Sequence, residues 1–557
     1  MSYQSFGFLF FSAAVLLLYY LLGKKLQRWV LAVANLVFYT VAGPQYLPFI
    51  LVTMLATFFT GKKMGGIYEA AETQLAACTT PAEKKAVKAN AKKKAKTALI
   101  IGMAVTIALL AVCKYTGFVM RNINQILKLF HAPKLPVFKL ILPLGISFYS
   151  FMALSYVLDV FWKRYPAETN FLNYAVYLSY FPHVVQGPID RFNEFNAQIQ
   201  DGVKFDSKNL VFGSELLLFG LFKKLVIADR LAPFVTHAFG FWKETNGAFL
   251  FVAMLAYSVQ IYADFSGCID IVTGVSEMFG IKLRKNFNHP YFSKTMGEFW
   301  RRWHISLQEW FKDYVYYPVS ASGLMRKAKK HFNQKNKPRA AELFSSCFPI
   351  LVVWLITGIW HGASWNYIIW GIYHAILLIG SQIFSPLFQK ANQRLKINVS
   401  SPLWKFWQMT RTFLLCGFGR IFFRANSVTG ALGYFGQMFT QFSFKALFTP
   451  LYNGLKNVYS YFTSSGSITS FWLKLRPELN RDFGLGITPA NIMMALVTIL
   501  ILWCVDMLQE KHSLRESLLR KHIIIRWTII FAGLFAVIVF GVYGPGYNAK
   551  SFIYEQF

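Results

Sequence analysis

The chain has 557 residues, of which 55% are hydrophobic, 18% aromatic and only 15% charged, and its formal net charge is +33. So much apolar surface with so little charge excludes a soluble or disordered protein and puts the chain in the polytopic membrane class. Six scattered cysteines with no CxxC pair and ten scattered histidines with no HxxxH spacing read as buried thiols and as no metal site.

The first apolar run, "FGFLFFSAAVLLLYYLLG" from Phe6, lacks a basic leader and is followed by Gly23, Lys24 and Lys25, so it reads as a retained helix and not a cleaved signal. "VLAVANLVFYTVAG" and "YLPFILVTMLATFFTG" follow, then "ALIIGMAVTIALLAV" from Ala98, "IMMALVTILILWCV" from Ile492 and "IIIRWTIIFAGLFAVIVFGVYG" from Ile523. With the interrupted segments between them, roughly eleven to thirteen hydrophobic segments are expected, some too short to cross a bilayer core of about 30 Å alone. The fold expected is an all-α polytopic membrane protein.

Charge placement sets the expected topology. Pro81–Thr97 and Leu324–Ala340 together hold fourteen Lys and Arg against one Glu, so both read as cytosolic loops, topology-setting and in contact with anionic membrane lipid. Nucleic acid is not expected as a partner. A basic cytosolic face also concentrates an anionic cosubstrate. There is no Gly-rich phosphate loop, no GxSxG elbow and no repeated pair of broken helices of the kind inverted-repeat transporters carry.

The chemistry concentrates in the middle of the chain. In "LPLGISFYSFMALSYVLDVFWKR", Pro143 and Gly145 open a helix that carries Asp159. In "SYFPHVVQGPIDRFNEF", Pro182, Gly187 and Pro188 interrupt any helix before Arg191, and both a surface loop and a broken intramembrane segment fit. "YADFSGCIDIVTGVSEMFG" sets Asp264, Ser266 and Asp270 inside an apolar helix. An acid there costs about 2.5–3.5 kcal/mol at mid-bilayer and calls for a partner. Arg191, Arg301 and Arg302 are the candidates, and a structural ion pair and a catalytic acid both remain open.

"EFWRRWHISLQEWFKDYVYYPV" holds six formal charges from Glu298 to Asp313, a cost on the order of 15 kcal/mol if each met lipid. This run therefore lines a protein-walled or water-accessible space. Read as one helix, it places His304 on a face with Trp300, Gln308 and Phe311; a structural and a catalytic histidine are both compatible with that. In "WLITGIWHGASWNYIIWGIYHAILLIG", His361 lies in an apolar run between Gly358 and Gly362, which admit a neighbouring helix or a substrate chain. A neutral imidazole tolerates burial and suits general-base work at neutral pH.

Together "LPLGISFYSF", "FPHVVQGPIDRF", "DFSGCID", "NFNHPYF", "EFWRRWHISLQEWFKDYVYYPV" and "IWHGASWNYIIWGIYH" resemble the membrane-bound O-acyltransferase family. The likeness is to its bacterial alginate O-acetylation branch and, more distantly, to teichoic acid D-alanyl transfer proteins. It runs from about Tyr39 to "GRIFFRAN" at Asn426. It implies a multi-helix funnel with an intramembrane tunnel, divided into N-terminal helices with a Lys-rich cytosolic loop (1–137, loop 61–97), a catalytic core (138–426) and a C-terminal region (427–557).

By that resemblance His361 is the catalytic histidine and His304 the second, tunnel-lining one. Trp300, Arg301, Arg302, Trp303, Gln308, Asp313, Tyr314, Trp360 and Asn366 line the donor path, and Asp264, Ser266, Asp270, Gly187, Pro188 and Arg191 form a supporting polar core. The implied activity is transfer of a short acyl group, acetyl from acetyl-CoA, to hydroxyls of an exported polysaccharide across the bacterial inner membrane. The acceptor is reached directly or through an extracytoplasmic SGNH-hydrolase-like partner, with no permanently bound cofactor. The alternatives are D-alanyl transfer from an acyl carrier protein and, in a different class, a polysaccharide-export scaffold or transporter. One departure bears on the acceptor: Pro318 is followed by Val319, Ser320 and Ala321, where alginate-type members carry Leu-Gly-Gly.

Overall fold

The computed structural model describes residues 2–138, 140–465, 467–480 and 485–543. The end of the expected C-terminal region, residues 544–557, lies outside them. Every regular element among the described residues is helical; the only strand-like feature is one bridge between Phe287 and Trp303. Among the described residues six helices are long and apolar enough to cross a membrane, or seven if the Trp365–Ile383 and Ser385–Arg394 pair, bent by 58°, is one span. Phe6–Leu21 and Ile146–Phe161 are shorter apolar helices. The sequence expectation of eleven to thirteen segments therefore resolves into fewer full-length crossings. In the Ile523–Phe540 helix only 6% of the apolar stretch is buried by protein. Burying so little of a hydrophobic helix leaves lipid as its solvent.

The two lysine-rich stretches are helical, not loops. Leu47–Ala77 and Pro81–Leu129 are joined by three residues only. Thr80 starts the second helix with a capping box: its hydroxyl accepts from the Glu83 N–H, the Glu83 carboxylate accepts from the Thr80 N–H, and Pro81 fills the first turn, where no donor is needed. At 49 residues this helix is about 73 Å long, so its lysine-bearing first turns extend well beyond a 30 Å hydrocarbon core. Gly102 explains how closely it approaches its predecessor, since a β-carbon there would lie 2.2 Å from the Thr60 hydroxyl. The Leu324–Ala340 stretch forms the Gly323–Gln334 helix and the start of Pro338–His361.

The chain separates into two compact units. One comprises residues 1–217, 269–286 and 304–341, the other 218–268, 287–303 and 342–557. The core of the first is aromatic, with Tyr3, Phe8, Phe38 and Phe181 linked by ring contacts and Tyr156, Tyr174, Tyr177 and Phe192 forming a second cluster. The stretch around Gly187 and Pro188, for which a surface loop was one expectation, is buried from Tyr180 to Phe192. Gly145, at φ +72°, makes room for it, because a β-carbon there would meet the Val184 carbonyl at 2.1 Å. His183 holds the loop with one ring nitrogen 3.0 Å from Asp190 and the other 3.2 Å from the Tyr177 carbonyl. Of the six cysteines only Cys268 and Cys416 are fully buried; the other four are half-exposed.

In the second unit the Pro338–His361 and Trp365–Ile383 helices cross glycine on glycine. A β-carbon on Gly371 would lie 2.4 Å from the Trp354 carbonyl and 3.3 Å from the Gly358 Cα, and one on Gly358 would lie 2.5 Å from the Tyr367 carbonyl. The room left by Gly358 and Gly362 is thus taken by the following helix and the Tyr367 ring. Gly371→Val is expected to cost about 1–3 kcal/mol or more through overpacking, whereas Gly436→Ala, with nothing within 4 Å of its β-carbon, is expected to be neutral or slightly stabilising. Melting temperatures of the detergent-purified variants check this; equal values for the two would show that the crossing is not close-packed.

Candidate active site

The predicted site residues fall into separate clusters, each inside one unit. In the first unit His304 is not on a helix. Met296–Arg302 ends before it, Trp303 is extended, and His304 itself adopts φ +49° before Ile305–Phe311 begins. The expected helical face shared with Trp300, Gln308 and Phe311 therefore does not exist. The helix breaks because the backbone here pairs with Asn286–Asn288 instead: the Asn288 N–H donates to the Arg302 carbonyl and the Ile305 N–H to the Asn286 carbonyl, both at 2.9 Å. A left-handed conformation in a non-glycine residue is a cost the surrounding bonds must cover.

Those bonds converge on Asn286. Its side-chain oxygen lies 3.1 Å from His304 Nδ1 and accepts from the Ser306 N–H at 3.2 Å and the Ser306 hydroxyl at 2.9 Å, while the Ser306 oxygen accepts from the Ile189 N–H at 3.0 Å. His304 is 1% exposed and faces the Phe148 ring. Asn286, in the "NFNHPYF" motif, is thus the hinge of this cluster, a role that sequence spacing did not reveal.

A second cluster in the same unit gathers Arg191, Asp313 and Tyr314. Arg191 donates to Asp313 at 3.2 Å and lies 4.5 Å from the centre of the Tyr314 ring, and the Tyr314 hydroxyl donates to Asp159, which also takes a 2.8 Å bond from Arg164. Arg284 binds Glu194 and Glu309 and sends its backbone N–H to Asp190. These bonds hold the Glu194 carboxyl below its usual range. Gln308 and Asp270 are half-buried and Arg301 is exposed.

The second unit answers what Asp264 pairs with. None of the predicted arginines does so: Lys224, 1% exposed, sits 2.6 Å from Asp264 and 2.9 Å from Asp229, and Lys223 donates to Ser266 at 3.0 Å. The lysines lie in a π-helical stretch, Phe222–Ala228, whose wider turn sets both inward. The pair "KK" inside "LFGLFKKLVIA" is a signal that sequence reading passed over. Arg302 instead binds Glu298 at 2.9 Å and also Glu510.

His361 closes the Pro338–His361 helix and is 4% exposed. Aromatic rings surround it, with Trp360 and Trp370 centred 4.8 Å away and Phe423 5.2 Å away. Trp370 also packs at 4.9 Å on His374, a second buried histidine, and Trp300 contacts Trp354, Trp370 and His374. Asn366 donates to the Ala425 carbonyl, tying the helix of His361's neighbours to the end of Pro402–Arg424. Trp303 lies under the Arg420 guanidinium, 5.0 Å away. Among the described residues no three His, Cys, Asp or Glu side chains converge as metal ligands.

Membrane-length apolar helices, interrupted by buried charged clusters and a histidine walled in by indoles, define an all-helical, multi-pass membrane protein. The sequence profile of the membrane-bound O-acyltransferase family matches residues 114–332. The chain is 32% identical to the probable alginate O-acetylase AlgI of Pseudomonas putida over 79% of its own length and 80% of the relative's. It is 31% identical to the peptidoglycan O-acetyltransferase of Helicobacter pylori over 72% of each chain. The teichoic acid D-alanyltransferase of Bacillus subtilis is 29% identical over 47% of this chain. The chain belongs to the membrane-bound O-acyltransferase family and is an acyltransferase enzyme.

Asn286→Ala leaves the Ser306 donors without their buried acceptor and His304 Nδ1 without its partner. Each orphaned group costs about 1–3 kcal/mol, so a clear drop in melting temperature is expected; an unchanged value would show that His304 is held by other contacts.

Proposed function

We propose that this enzyme moves acetyl from cytosolic acetyl-CoA to hydroxyls of an exported or cell-surface polysaccharide across the bacterial inner membrane, directly or through an extracytoplasmic SGNH-hydrolase-like partner. The observation that carries the reading is His361. It is a buried imidazole in ring contact with Trp360, Trp370 and Phe423, at the end of a membrane-length helix in a family of O-acyltransferases.

Coenzyme A is polyanionic and does not cross a bilayer, while the accepting hydroxyls lie outside. A buried base solves this if the thioester arm reaches it from one side and the hydroxyl from the other. His361 takes the hydroxyl proton as the oxygen attacks the thioester carbon. The C-terminal carbonyls of its helix favour the positive charge that the imidazole then acquires. His304, seated by Asn286, holds the donor arm. The lysine-bearing turns of Pro81–Leu129 and Gly323–Gln334 concentrate the anionic donor. Relatives named for O-acetylation match 72–79% of the chain, against 47% for the D-alanyl relative, which favours acetyl over D-alanyl as the group transferred.

His361→Ala is expected to abolish polymer acylation with insertion and expression unchanged, and to leave coenzyme A binding intact; full acylation in that variant would overturn the assignment. His304→Trp is expected to lower both activity and coenzyme A affinity, and a wild-type affinity would remove His304 from the donor path.

The direction of transfer has its own check. Single cysteines at Ala89 and Asn333 are expected to resist a membrane-impermeant thiol reagent added to whole cells, and labelling at either position would reverse the topology.

A further inference from the structure

Beside the His361 wall, inside the second unit, lies a cavity of about 20 Å³ lined by Phe299, Trp300, Trp370, His374, Arg420 and Phe423, among others. Trp370 and Phe423 are shared: both rings contact His361, and Trp370 contacts His374 as well. The two imidazoles are therefore centred within about 10 Å of each other.

Three lining residues carry nitrogens that are buried and have no hydrogen-bond partner among the described residues, namely Trp300 Nε1, His374 Nδ1 and Arg420 Nη1. Each residue is more than nine-tenths buried, at 8%, 2% and 6% exposure. Arg420 makes no ion pair with a carboxylate among the described residues. Its guanidinium is held by the faces of Tyr291, Phe299 and Trp303, centred 5.0–5.6 Å away. An indole N–H and a guanidinium N–H can only donate. A buried cation with buried orphan donors beside it suits an oxygen acceptor, and most of all one on which negative charge develops, because a buried polar group without a partner costs free energy.

A cavity needs about 10–15 Å³ to admit one water, and this one, at about 20 Å³, has room for the tip of an incoming group, one oxygen atom with its stem outside. We infer that the Trp300, His374 and Arg420 cavity is the oxyanion site of the transferase, taking the thioester carbonyl oxygen of the acyl donor. The inference rests on the acyl-transfer reading of His361. As the hydroxyl oxygen bonds to the carbonyl carbon, its proton passes to His361 and the carbonyl π electrons move onto the oxygen in the cavity. When they return, the carbon–sulfur bond breaks, the thiolate takes the proton from His361, and an ester and a free thiol leave. Donors fixed in a water-poor site stabilise that charge as it develops, without reorganising.

The test uses inverted membrane vesicles from cells making the full chain, with labelled acetyl-CoA as probe and label in the polymer fraction as readout. Trp300→Phe deletes one donor and is expected to lower the maximal rate about 10-fold or more, and Arg420→Gln about 10²–10³-fold, with the KM for acetyl-CoA changed little. Arg420→Lys, which keeps the charge, is expected to recover part of the rate. Wild-type maximal rates in Trp300→Phe and in a folded Arg420 variant overturn the inference, as does a raised KM at unchanged maximal rate. If Arg420→Gln does not accumulate, Trp300→Phe alone decides. Should wild-type vesicles transfer no acetyl, the acetyl reading fails separately, and the same variants are then compared with labelled D-alanine as the transferred group.

Discussion

A polar group withdrawn from water and from lipid has to find its partner inside its own chain, and the helices here are arranged around that requirement. A charge at mid-bilayer costs a few kcal/mol even with local adjustment, and an orphaned partner inside a protein costs as much again. Lys224 is fixed between Asp229 and Asp264, and Asp159 between Arg164 and Tyr314. In each case the partner comes from a different turn or a different helix, so the bond selects one packing. Replacing such a set by apolar groups could leave stability unchanged, which makes specificity of arrangement the better account of what these pairs do.

The backbone departs from regular helix where those groups concentrate. His304 sits at a positive φ between two short helices, and π-helical turns carry Lys223 and Lys224 in one unit and Asp313 and Tyr314 in the other. An α-helix presents side chains at a fixed interval, and a wider turn or a break re-aims two or three of them. Such breaks survive at membrane depth only where protein satisfies the freed backbone groups. The pairing of Asn286–Asn288 with the Arg302–Ile305 backbone supplies that at His304.

Not every buried polar group among the described residues finds such a partner. Most buried donors have acceptors, so the few that do not are informative. Neutral rings wall His361, and Trp300, His374 and Arg420, each with a buried nitrogen that has no partner among the described residues, line a cavity of about 20 Å³ beside that wall. Low dielectric strengthens whatever charge interaction forms there. Glycine serves the same end by letting helices close: Gly358 and Gly371 bring Trp354 and Trp370 together, and Gly419 lies against His374.

The sequence by itself determined the class of protein and the family. Hydropathy over twenty residues reports solvent directly, and six ordered motifs carry more information than any contact. It also showed that Asp264 and the Glu298–Asp313 charges could not meet lipid, since that follows from cost alone. It did not show that Lys224 would pair with Asp264, that Asn286 would seat His304, that the lysine stretches would be helices, or that Arg420 would lie over the rings of Tyr291, Phe299 and Trp303. Helical periodicity says which face a residue occupies, but not what another helix forty or a hundred residues away will bring to it. Only the tertiary structure decided those partners, because each depends on where glycines let backbones approach and where a broken turn redirects a side chain.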